Sequence, residues 1–180
     1  MTPSTPLAMG LRRATWIGFA IIAILIPLLP LGHQSDAWLV PDLLYCLTLI
    51  WVIREPRIIG VGTVAMLGLA CDIFLGRPIG LGAIMLVLTS EAFRQQARFF
   101  QENMFLLEWA AAVVFFMLAQ LGMSLVLVLT FTDPPQMGDV LAYVLGTAIA
   151  YPLVAGLLYV SVKVRAPQPG QVSDRLGRVR

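Results

Sequence analysis

Apolar residues gather into six runs separated by short polar breaks, at about residues 14–31, 38–53, 58–75, 78–93, 104–130 and 138–162. The first four hold 16–18 residues, the short end of what a membrane helix needs. The fifth holds 27 and must tilt, bend or project beyond the lipid. The sixth holds 25 and carries Pro152, which predicts a kink. The pattern predicts an all-α integral membrane protein with six transmembrane helices. One membrane domain, residues 14–163, lies between a flexible polar end (1–13) and a flexible basic tail (164–180).

The break inside 58–93 needs its own argument. As one helix, these 36 residues would reach about 54 Å, against a hydrocarbon core of about 30 Å. The chain therefore turns near "GRP", residues 76–78. Gly76 suits the end of the first helix and Pro78 the first turn of the next. A full hairpin and a shallow re-entrant pair both satisfy this requirement.

Composition agrees with the pattern. Of 180 residues, 59% are hydrophobic and 12% charged, about half the charge of an ordinary soluble domain. With six spans and both termini in the cytoplasm, eleven of the twelve basic residues face inward and only Arg77 lies outside. That is a strong positive-inside bias. Asp36, Asp133 and Asp139 fall on the outer side. The run after Arg12 and Arg13 is too long for a signal peptide and reads as a first membrane helix that stays. A net charge of +2 with no basic groove gives no sign of nucleic-acid binding. Cys46 and Cys71 read as small buried hydrophobes, and a lone His33 suggests no metal or cofactor site.

Polar residues inside the runs are the candidates for function. Asp72 lies 14 residues beyond Ile58, so about 21 Å into the bilayer and in its outer third. Asp42 opens the second run after Pro41, also near the outer face. Arg77, at the outer turn, is within reach of either acid. Intramembrane acids usually face a protein interior or water, which favours an outward polar pocket or partner site. The structural alternative is a helix-start carboxylate at Asp42 and a hairpin-pinning ion pair at Asp72 and Arg77. Gln120 and Ser124, four apart on the fifth run, are read as interhelical hydrogen-bond donors.

Small residues mark contacts. Six of fifteen glycines fall within residues 60–82, so the third and fourth helices should pack closely. Ala142, Gly146 and Ala150 form a small stripe on the last helix. Between the fourth and fifth runs, residues 91–104 predict an amphipathic helix at the cytoplasmic interface. Phe93, Ala97, Phe100 and Met104 fall on its apolar face, which would rest on lipid or dock a cytoplasmic protein.

Two stretches, "VPDLLYCLTLIWVIREPR" (40–57) and "GLACDIFLGRPIGLGAIML" (68–86), resemble the MreD family of bacterial rod shape-determining membrane proteins. Pro41 and Asp42 match its Pro-Asp element. Gly68, Leu69 and Asp72 match its Gly-Leu-x-x-Asp run, and Pro78 and Gly80 its Pro-Leu-Gly, with Ile79 replacing the leucine. The resemblance implies a non-enzymatic subunit of the cell-elongation machinery in the bacterial inner membrane. It implies association with MreC and, directly or through MreC, with MreB, RodA and its penicillin-binding transpeptidase partner. It further implies a fold like that of the substrate-binding subunits of energy-coupling-factor transporters.

Two other classes compete. A small-molecule-binding transporter subunit would also show six short spans with polar residues on the outer side. An intramembrane enzyme needs clustered acids for a metal or an acid–base pair, and Asp42 and Asp72 are too few.

Overall fold

The computed structural model describes residues 6–29 and 41–162, and all regular structure among them is helical. The elements are α1 (Pro6–Leu25, prolonged by a 3-10 turn at Ile26–Leu28), α2 (Leu43–Arg54), α3 (Val61–Phe74), α4 (Leu81–Gln95), α5 (Ala97–Glu102), α6 (Phe105–Leu129) and α7 (Met137–Val162). A helix lies on each of the six predicted runs. Three stretches, Met9–Leu28, Phe105–Leu129 and Met137–Val160, are long and apolar enough to cross a membrane. Asp36 and the basic tail from Lys163 lie outside the described residues.

The fold is organised around its shortest apolar helix. Every residue from Leu44 to Ile53 is buried, so α2 has no outer face. A helix that is apolar all round belongs in a core, and α2 packs against α1, α4, α5 and α7. Its 12 residues reach only about 18 Å, less than the hydrocarbon thickness. Both helix ends therefore fall where backbone groups need partners from the protein. Asp42 Oδ1 accepts the Tyr45 N–H at 2.9 Å at the start. At the other end, the Gln101 side-chain amide donates to the Ile53 carbonyl.

The helices α3 and α4 form the antiparallel hairpin that "GRP" predicted. Gly76 ends α3 with φ +64°. The Arg77 N–H donates to the Asp72 carbonyl at 2.9 Å, and the Gly76 N–H to Ile73 at 3.4 Å. This pair is a Schellman motif, which requires the left-handed backbone that glycine adopts freely. Pro78 does not enter the first turn of α4. The Leu81 N–H donates to its carbonyl instead, in a turn whose third residue, Gly80, has φ +88°. A type II turn asks for that geometry. A Cβ built on Gly68 would stand 2.8 Å from Ala83 Cα, so the backbones meet there directly.

Two boundaries differ from expectation. α1 begins at Pro6, so much of the end predicted as flexible is helical. Helix continues beyond the apolar run because its hydrogen bonds are internal. Arg12 pairs with Glu55, and Arg13 donates to Thr63, tying this extension to the bundle. The predicted interfacial face is also turned the other way. Phe93, Ala97 and Phe100 are buried in the core, and Phe93 stacks on Phe100 at 4.8 Å between ring centres. Only Met104, 74% exposed, points away. The helix breaks at Gln96, so α5 folds its aromatic side into the bundle and leaves Arg98, Phe99 and Glu102 outside.

On α7, Ala150 is buried, whereas Ala142 and Gly146 are half-buried. The deepest face runs through Val140, Val144, Thr147, Ala148 and Tyr151. Pro152 lies inside the helix and cannot donate to Ala148, four residues back. The Trp109 indole N–H of α6 donates to that freed carbonyl at 2.8 Å.

Candidate functional site

Around the start of α2, three distant segments converge. Asp42 Oδ2 receives Arg77 Nη1 at 3.2 Å from the α3–α4 turn. It also accepts the Tyr143 hydroxyl of α7 at 2.7 Å. Arg77 Nη2 donates to that hydroxyl at 2.6 Å, closing a triangle. The Asp42 N–H donates to Thr147 Oγ1 at 3.0 Å, one turn along α7. A carboxylate at a helix N-terminus also meets the positive end of the helix dipole. Asp42 thus caps α2 and clamps it to both the hairpin and α7.

Asp72 has a different task. It is 1% exposed, and its Oδ2 accepts the N–H groups of Gly80 (2.9 Å) and Ala83 (3.1 Å). These belong to the start of α4, where Gly80 has no side chain to cap the helix. Asp72 supplies that cap from the neighbouring helix. Gly82 makes room for it, since a Cβ there would overlap Asp72 Oδ1. Of the two acids within reach of Arg77, its guanidinium takes Asp42, so the alternative Asp72–Arg77 side-chain ion pair does not form and only the Arg77 backbone N–H bonds to Asp72. The carboxylate of Asp72 is turned toward Gly80 and Ala83 at the start of α4.

A cavity of about 40 Å³ lies beside these groups, between α2, α3, α4 and α6. Asp42, Asp72 and Arg77 line it together with Met85, Phe116 and Gln120. Ser124 donates to the Gln120 carbonyl within its own helix, at 2.9 Å, so it makes no interhelical bond. Gln120 lines the cavity. Cys46 and Cys71 are buried free thiols, as expected of small apolar residues. Among the described residues, no group of three His, Cys, Asp or Glu could hold a metal ion.

A second cluster, at the Arg54 end of α2, has no counterpart in the sequence reading. Glu108 of α6 is 3% exposed, and its Oε2 meets Arg54 Nη2 at 3.3 Å. Its Oε1 accepts the Tyr151 hydroxyl of α7 at 2.9 Å. The signal was an acid three residues into a long apolar helix, a placement that requires a partner. Arg94 forms a third tie, donating to the Pro56 and Ile59 carbonyls at 2.5 and 2.6 Å.

The family model described as rod shape-determining protein MreD matches residues 10–162. The chain belongs to the MreD family. No curated protein and no solved structure matches it. Membership makes it a rod shape-determining membrane protein. In this MreD family member, Pro41 and Asp42 start and clamp α2, and Gly68, Asp72 and Gly80 build the hairpin. Pro78 opens the turn that brings Gly80 to Asp72, and Arg77 joins the hairpin to α2.

Proposed function

We propose that this MreD family member is a non-catalytic inner-membrane subunit of the cell-elongation complex. It supports lateral peptidoglycan synthesis through MreC and, directly or through it, works with MreB, RodA and the penicillin-binding transpeptidase. The family match over residues 10–162 carries the reading. The geometry supports it, because Asp42, Arg77, Tyr143 and Thr147 bind one another and hold helices in place. In this reading the chain crosses the membrane six times, with both termini in the cytoplasm and the Asp42 end outermost. The pronounced excess of basic residues on the other side supports that orientation.

Depletion tests the proposal. Rod cells should become round or wide, and tagged protein should copurify with MreC. Normal rods after clean deletion, with no paralogue present, overturn it. A transporter subunit is the second reading, favoured by the cavity at the outer end. That cavity, at about 40 Å³, is far below the roughly 300–1,000 Å³ of ordinary small-molecule sites. Transporter ATPase genes beside this one, and a solute retained through purification, would reverse the order.

A further inference from the structure

The cavity beside Asp72 holds an acceptor with nothing to accept. Asp72 Oδ2 takes two backbone N–H groups, while Oδ1 has no hydrogen bond among the described residues. A residue 1% exposed carries this oxygen, and it lies against Gly82 on the cavity wall. Oδ1 is not one of the fully buried atoms left without a partner, so it keeps slight access, and a carboxylate oxygen this enclosed with no protein donor favours a donor from outside. The cavity wall bears two carboxylates, Asp42 and Asp72, against one guanidinium, Arg77. That balance favours a cationic donor over an anion. Arg77 is already committed to Asp42 and Tyr143.

Size and surroundings narrow the class. About 40 Å³ is room for roughly three waters by the one-probe-sphere criterion, or for the tip of an alkylammonium group. A whole phosphate headgroup does not fit. Gln120 lines the same cavity, and its side-chain amide has no hydrogen-bond partner among the described residues. The α4 and α6 walls carry Met85, Leu86, Phe116 and Met123, and exposed Ile84, Leu88, Leu118 and Leu121 flank them on the same helices. An apolar rim around a charged end is the environment of an amphiphile entering from the bilayer.

We propose that this cavity binds the primary ammonium of a phosphatidylethanolamine headgroup. The ammonium donates to Asp72 Oδ1, with its phosphate at the mouth and its acyl chains along the α4–α6 groove. A quaternary choline has no N–H to give and is excluded on the same chemistry.

The test is lipid retention by the purified full chain, read by native mass spectrometry. Protein is reconstituted in nanodiscs holding equal amounts of phosphatidylethanolamine and phosphatidylcholine, then released. The wild type should retain phosphatidylethanolamine at least fivefold over phosphatidylcholine. Met123→Trp, which fills the cavity and leaves every charged side chain in the sequence, should bring the ratio to parity, and Gln120→Leu should lower it. Asp72→Asn should abolish the preference where it folds, and Met123→Trp decides the matter where it does not. Equal retention by the wild type, as a cavity holding only water would give, overturns the proposal. So does a preference that survives Met123→Trp, or carbodiimide crosslinking of Asp72 to a partner protein's lysine without any lipid preference. The assay reads lipid alone, so failure here leaves the elongation-complex proposal standing.

Discussion

Single atoms decide the packing of the hairpin. The Asp72 carboxylate fills the space that a Cβ on Gly82 would take. Gly82→Ala should therefore push Asp72 from the start of α4. Overpacking of this kind costs about 1–3 kcal/mol, visible as a lower unfolding temperature in detergent. Trp109 gives a second test at this scale. It donates to the Ala148 carbonyl that Pro152 leaves free. Trp109→Phe keeps an aromatic ring but strands that carbonyl, at about 1–3 kcal/mol. Restoring the backbone donor with Pro152→Ala in the Phe variant should recover part of the loss. No recovery would mean that the indole matters only for packing.

At the scale of the element, α2 is held at both ends by the same kind of assembly. Asp42 meets Arg77 and Tyr143 at one end, and Arg54 meets Glu108 and Tyr151 at the other. The two tyrosines stand eight residues apart on α7, about 12 Å along its axis. α7 thus acts as a brace along the short central helix. Glu108→Ala removes one partner of a buried pair and should destabilise the fold by about 3–5 kcal/mol. Combining it with Arg54→Met should recover much of that, since no buried charge is then left alone. A double variant as unstable as Glu108→Ala would show that Arg54 does not depend on this pairing.

At the scale of the molecule, the two halves of α6 have different surroundings. Its buried residues, Glu108, Ala112 and Phe116, all lie in the first half, and none of residues 117–129 is buried. This second half lines the cavity through Gln120 and Met123 and runs beside α4, with Met85 Cε 3.2 Å from a Cβ built on Gly122. Asp72 lines the cavity and caps α4 within the hairpin, whereas Glu102 lies on the exposed side of α5. In a cell-shape complementation assay, Asp72→Asn should therefore fail or fall well below wild type. Glu102→Gln should restore rods. Equal behaviour would remove any special role for Asp72.

The sequence alone determined the helices on the six apolar runs, the turn at Gly76 and the close packing of the glycine-rich helices α3 and α4. These follow from the length of apolar runs and from backbone chemistry local to a few residues. The motif around Asp42 and Asp72 was legible for the same reason, since helix starts and tight turns restrict residue types locally. Tertiary structure alone decided the pairings. Arg77 is five residues from Asp72 but binds Asp42, because α2 brings that carboxylate to the turn while α4 engages Asp72. Glu108 remained unnoticed because its partners stand 54 and 43 residues away. The apolar side of residues 93–104 had the right period, but period does not say whether a face meets lipid or protein. The break at Gln96 decided that by turning Phe93 and Phe100 onto each other inside the bundle.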